Sequence, residues 1–172
     1  MRCSAVEICL TFDREFSRRW YAFTHRTAAR RIVVRSFVNV GAFEALIAVL
    51  AADPAVRPAI AVVLPRMALC AVIVRGVIVA AFHALIPRER PFVVFGVTPI
   101  IKPFGIRAFP SAHAAFFGGL TPFLWAIAPW MGAAALAIAV VNGAARVAGA
   151  LHWPSDVIVG IAIGLVAGMV LR

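Results

Sequence analysis

Three short polar segments interrupt an otherwise apolar chain: Arg88-Glu89-Arg90-Pro91, Pro110-Ser111-Ala112-His113, and Ala145-Arg146 followed by Leu151-His152-Trp153-Pro154-Ser155-Asp156. Ionisable groups at membrane depth are costly to place, so their default reading is functional. Arg90 and Arg146 offer planar guanidinium forks that match phosphate oxygens, and Arg88 either assists them or anchors the interface. Glu89 would oppose an anionic ligand and is expected to turn away toward an arginine. Asp156 follows His152 by four residues. A carboxylate bonded to one ring nitrogen fixes the tautomer and frees the other nitrogen to attack. Ser111 is a favoured helix N-cap ahead of an apolar run, and the free amides of such a helix start attract anions. His113, on the first turn, can address the same anion. A capped helix with an incidental histidine would produce the second segment equally well, and an interfacial His-Trp belt with a capping Asp would produce the third. Read together, the three segments hold cationic clamps, a nucleophile, an acid and an orienting carboxylate, the set needed to handle a phosphate.

The elements that must carry these residues follow from composition and periodicity. The 172 residues make one domain, 63% hydrophobic, with a mean hydropathy of +0.97, well above soluble proteins. An all-α, polytopic membrane bundle of about five spans is expected, because a bilayer core takes about 20 helical residues per crossing. Residues 1–31 form a basic amphipathic segment in which Phe12, Phe16, Trp20 and Phe23 recur at helical spacing, as in a helix lying in the interface. Residues 32–172 form the membrane-embedded domain. Its expected spans are 32–52, 59–86 (with Pro65 as a kink or true start), 111–130, 131–151 and 155–171, with a loop over 87–110. Ala and Gly in the fourth span permit close helix packing. Arg75 needs a partner, and Glu44 on the neighbouring span is the expected one. Two crossings separate the second and third polar segments, so all three meet on one side of the membrane.

The formal net charge is +10, carried by arginines and the single lysine Lys102. The arginines are dispersed without an aromatic-interleaved stripe, which excludes nucleic acid as the partner; anionic headgroups and a phosphorylated lipid substrate fit better. Cys3, Cys9 and Cys70 have no metal or redox spacing, and Cys70 is expected to pack inside a span. His113 and His152 have no neighbouring ligand cluster, so no metal and no cofactor are expected. The first thirty residues, with Asp13, Glu15 and several arginines, do not read as a signal peptide.

In this order and spacing, Arg90-Pro91, Pro110-Ser111-Ala112-His113, and Arg146 with His152 and Asp156 resemble the type-2 phosphatidic acid phosphatase (PAP2) superfamily. Its pattern is Lys, six residues, Arg-Pro; then Pro-Ser-Gly-His; then Ser-Arg, five residues, His, three residues, Asp. The resemblance runs from about Arg75 to Gly164. The phrases Arg-Glu-Arg-Pro-Phe, Phe-Pro-Ser-Ala-His-Ala and Ala-Arg-Val further resemble the bacterial BcrC-like undecaprenyl-diphosphate phosphatases. The resemblance implies a metal-independent membrane phosphatase in which His152 becomes a phosphohistidine, Asp156 orients it, His113 serves as acid and then base, and Arg90, Arg146, Ser111 and the amides beside Ala112 hold the phosphate oxygens. Three positions depart from the pattern. His83 stands at the lysine position, so Arg88, Lys102 or Arg107 would have to compensate; Ala112 replaces glycine; Ala145 replaces serine. The implied substrate is a polyprenyl diphosphate, with phosphatidic acid or phosphatidylglycerol phosphate as the alternative. A non-catalytic protein that binds anionic lipid is the alternative of another class. The implied location is the bacterial plasma membrane with the site facing outward, although the positive-inside rule applied to the basic N-terminus points the other way.

Overall fold

The computed structural model describes residues 5–172, and Cys3 lies outside the described residues. Among those described, every regular element is helical. The chain opens with α1 (Ala5–His25) and then α2 (Ala28–Ser36), which Thr27 starts by accepting a hydrogen bond from Arg30 N. A wide π turn over Phe37–Gly41 carries α2 into α3 (Ala42–Ala51). After Asp53 and a 3₁₀ turn, α4 (Arg57–Val72) runs through a second π turn, Ile73–Ile78, into α5 (Val79–Leu85). Pro58 sits in the first turn of α4, where a missing N–H costs nothing. Pro65 lies inside α4 and therefore does not mark its start.

The expected loop over 87–110 contains one short helix, α6 (Pro91–Phe95), opened by Pro91 and ended by Gly96 at a left-handed φ of 63°. The two limbs of that loop pair with each other: Glu89 bridges to Arg107, and Ala108 N donates to Arg88 O at 2.9 Å. Three helices complete the fold: α7 (Ala112–Ile127), α8 (Pro129–Ala148) and α9 (Pro154–Leu171). The break between α7 and α8 falls at Ala128, whose extended backbone (φ −154°) precedes Pro129.

Three helical stretches are long and apolar enough to cross a membrane: Pro54–Leu85, Pro129–Ala148 and Pro154–Leu171. The other two expected spans contain shorter apolar helices, α3 and α7. Helix α7 is the centre of the bundle, with Phe117, Phe123 and Leu124 fully buried. Its most extensive contact is with α9, and glycine makes it possible. A Cβ on Gly164 would lie 2.2 Å from Ala115 O, and one on Gly168 2.3 Å from Gly119 O. Gly160, Gly164 and Gly168 thus line one face of α9 so that two backbones touch, the small-residue packing that drives association where lipid competes for apolar side chains. The small residues of α8 pack closely as expected, with Gly132, Ala135, Ala139 and Gly143 buried, and α9 adds this second glycine contact. Cys70 packs inside as expected, buried with Sγ 3.8 Å from Gly119 O.

Helix α1 is amphipathic, but its buried face is polar. Asp13, Ser17 and Thr24 are buried, whereas Phe12, Trp20 and Phe23 are exposed. Phe16 packs on Ala114, Val147 and Val157.

Candidate active site

The loop pairing, the start of α7 and the turn from α8 to α9 bring the three polar segments together. Ala150 takes a left-handed φ of 59° after α8, a strained conformation for a residue with a side chain. This reverses the chain and seats Leu151 and His152 in the interior. Ser111 N donates to Asp156 O at 3.0 Å, tying the start of α7 to the first turn of α9. Trp153 Nε1 donates to Glu89 O at 2.8 Å, tying the third segment to the first.

His152 is buried. Its Nδ1 lies 2.8 Å from Ala108 O and 3.8 Å from Asp156 Oδ2. Only the carbonyl is within hydrogen-bond range. The expected carboxylate–imidazole hydrogen bond is thus replaced by one to the backbone: Nδ1–H donates to Ala108 O, so Nε2 is the unprotonated nitrogen. The reason lies in Asp156 itself, whose oxygens are held elsewhere. Oδ2 accepts from Trp153 N at 2.8 Å, closing the N-terminal turn of α9, and Oδ1 accepts from Arg88 Nη1 at 2.6 Å. Asp156 remains an electrostatic neighbour of the ring. Burial lowers the His152 pKa to about 4; the negative charge of nearby Asp156 opposes the shift, and the positive charges of Arg90 and Arg146 add to it. The ring is therefore neutral through the physiological range, the form a nitrogen nucleophile needs.

Arg90 is fixed by Nε donating to Arg107 O at 2.9 Å and Nη1 to Leu151 O at 3.2 Å, which leaves Nη1 3.4 Å from His152 Nε2. Arg146, on the last turn of α8, donates from Nε to Asn142 Oδ1 at 2.9 Å and from Nη2 to Val38 O at 3.0 Å. Asn142 in turn donates to Phe37 O at 2.7 Å. Both carbonyls belong to the π turn after α2. A π turn shifts the helical hydrogen-bond register and so leaves carbonyls free for side chains. The second π turn carries Arg75.

A cavity of about 380 Å³ joins these groups, walled by Arg75, Arg90, Lys102 and Arg146, by His83, His113 and His152, and by Ala112 among apolar residues. Among the described residues, no carboxylate lines it. Of the residues expected from sequence, His152, His113, Arg90, Arg146, Ala112 and His83 face this space, and His83 Nε2 lies 3.1 Å from Pro110 O. Ser111 does not: it is fully buried and caps α7, accepting from Ala114 N at 3.5 Å. Arg88, expected in the phosphate clamp, lies off the cavity, because its guanidinium is held by Asp13, Ser155 and Asp156. Arg75 pairs with no acid among the described residues; it borders the cavity and Glu44 does not. Glu89 is exposed and has no arginine partner among the described ion pairs.

The sequence profile of the PAP2 superfamily matches residues 65–172, well over half of the chain. The chain belongs to the PAP2 superfamily. No curated protein matches it by sequence. Its fold is similar to that of a transmembrane PAP2-type phosphatidylglycerolphosphate phosphatase from Bacillus subtilis, with a TM-score of 0.71 at 21% identity over 99% of this chain and 86% of that one. It is also similar to LpxE from Aquifex aeolicus, with a TM-score of 0.67 at 20% identity over 91% of this chain and 92% of the other. The all-helical membrane architecture expected from the sequence is thus the PAP2 fold. Within this PAP2 chain, sequence reasoning missed three contributors: Asp13, Asn142 and the Ala108 carbonyl. Only Asn142 left a sequence signal, a lone polar residue one turn before Arg146.

Proposed function

We propose that this PAP2 protein hydrolyses a lipid diphosphate through a phosphohistidine on His152, with a polyprenyl diphosphate such as undecaprenyl diphosphate as the substrate. The observation that carries the reading is one cavity with four cationic side chains, three histidines and no carboxylate among the described residues that line it. Four cations suit the charge of a diphosphate better than that of a monoester, and fixed charge aimed at the phosphoryl oxygens stabilises the transition state without reorganisation. A phosphate oxygen entering the cavity takes over the Arg90 Nη1 that faces His152 Nε2. Nε2 then bonds to the terminal phosphorus as the bond from phosphorus to the lipid-side oxygen breaks. His113 hands a proton to that leaving oxygen. Water next attacks the phosphohistidine, His113 takes its proton, and the nitrogen–phosphorus bond breaks to release phosphate. Asp156 stabilises the positive charge that the ring carries in the intermediate.

The test is phosphate release by purified protein from undecaprenyl diphosphate, phosphatidylglycerol phosphate and phosphatidic acid, each with and without chelator. Release is expected to be fastest from the diphosphate and unaffected by chelator. Faster release from either monoester lipid would transfer the reading to that lipid. No release from any of them would leave an anionic-lipid binder. The location we propose is the bacterial plasma membrane with the cavity facing outward, as recycling of a spent carrier lipid requires. A cysteine placed at the fully exposed Phe104, on the cavity rim, should react with an impermeant reagent in intact cells. Labelling only after lysis would put the site inside.

A further inference from the structure

The amphipathic helix α1 is tied to the residues beneath the active site through the buried acid Asp13. Asp13 is 1% exposed. Its Oδ2 accepts from Arg88 Nη2 at 2.5 Å and from the Ser155 hydroxyl. Its Oδ1 accepts from Ser155 N at 3.0 Å. The other end of the Arg88 guanidinium donates from Nη1 to Asp156 Oδ1 at 2.6 Å and to Ser155 Oγ at 2.7 Å. One arginine is thus shared by two buried carboxylates, one on α1 and one beneath the proposed nucleophile. A carboxylate at the first turn of α9 also complements that helix dipole.

We propose that Asp13 is a positioning residue for the reaction: by sharing Arg88 with Asp156, it sets how far that carboxylate is drawn from His152. The proposal rests on the phosphohistidine reading above. Asp13 lies outside residues 65–172, which carry the family match, and it touches neither the cavity nor His152. With Asp13 in place, Arg88 is balanced between two anions. Without it, the guanidinium closes on Asp156 alone. That neutralises Asp156 more fully and pulls it further from the ring than the present 3.8 Å. The imidazolium of the intermediate then loses part of its stabilisation, whereas the cations that bind substrate are unchanged.

The effect belongs in kcat and not in KM, which separates positioning from a helix that only adds stability. Asp13→Asn keeps the shape and an acceptor for Ser155 but removes the charge. It is expected to lower kcat roughly tenfold and to change KM less than about twofold. In protein carrying ¹⁵N-labelled histidine, the His152 ring resonances should move while those of His83 stay. In an Arg88→Met background the same substitution should cost less than about twofold, because coupled residues are not additive. An equal loss with and without Arg88, or wild-type kcat with unmoved His152 resonances, would overturn the proposal. If Asp13→Asn does not give monodisperse protein, Asp13→Glu is read in its place: its longer arm displaces Arg88 and should lower kcat at constant KM, and wild-type kcat counts against the proposal. Should the unaltered protein release no phosphate, the reading above fails on its own account. The resonance shift then still decides whether Asp13 acts on His152.

Discussion

His152→Ala is expected to lower kcat for phosphate release by about 10⁴ or more, to background, while the protein stays folded. The size follows from the role: the His152 ring has Nδ1 fixed by the Ala108 carbonyl and Nε2 facing the Arg90 guanidinium. The geometry also explains why folding should survive. Arg90 keeps its bonds to Arg107 O and Leu151 O when the ring is gone, and Asp156 keeps Trp153 N and Arg88. Two measurements check this together, phosphate release and binding of inorganic phosphate to the variant. Lost turnover with retained binding is the expected pair. Turnover above a tenth of the unaltered rate would remove His152 from the nucleophile's role.

Gly164→Leu is expected to give no folded protein, and Gly164→Ala to lower the thermal midpoint in detergent. The first atom of any side chain at this position would lie 2.2 Å from Ala115 O and 2.6 Å from Gly119 N. Those are backbone atoms of a helix buried at the centre of the bundle, and they cannot rotate aside as a flexible side chain would. Overpacking of a well-filled core costs about 1–3 kcal/mol per added group and more where the backbone must move. The damage is also functional. Ala115 is two residues from His113, so forcing α7 away from α9 separates His113 from the turn that holds His152. A midpoint for Gly164→Ala equal to that of the unaltered protein would show that the two helices are not in backbone contact.

The proposed catalytic group was legible in the sequence because polar residues at fixed spacing stand out in a chain this apolar. His113, His152, Arg90 and Arg146 needed only that contrast and a count of crossings. Arg88 was misplaced because an arginine two residues from another looks the same in a sequence whichever way it points; its partner Asp13 is 75 residues away. Asp13 itself reads as one of three acids in the basic segment 1–31, and only packing reveals that the polar face of α1 turns inward. The α7–α9 contact was written in the chain as glycines at 160, 164 and 168, yet the small residues of α8 drew the expectation. The π turns left no signal, since they rearrange hydrogen bonds within residues that remain helical.

The carbonyl that orients His152 has a different kind of permanence. Every amino acid at position 108 supplies the same C=O, so no point mutation can delete the group that selects the tautomer of the proposed nucleophile. A triad aspartate is lost by a single codon change. Here heredity can reach the orienting oxygen only by displacing it, through a side chain too large for the fully buried Ala108 or a change in the paired limbs of its loop. Sequence drift around this histidine is therefore limited by the path of the main chain more than by the identity of any one neighbour.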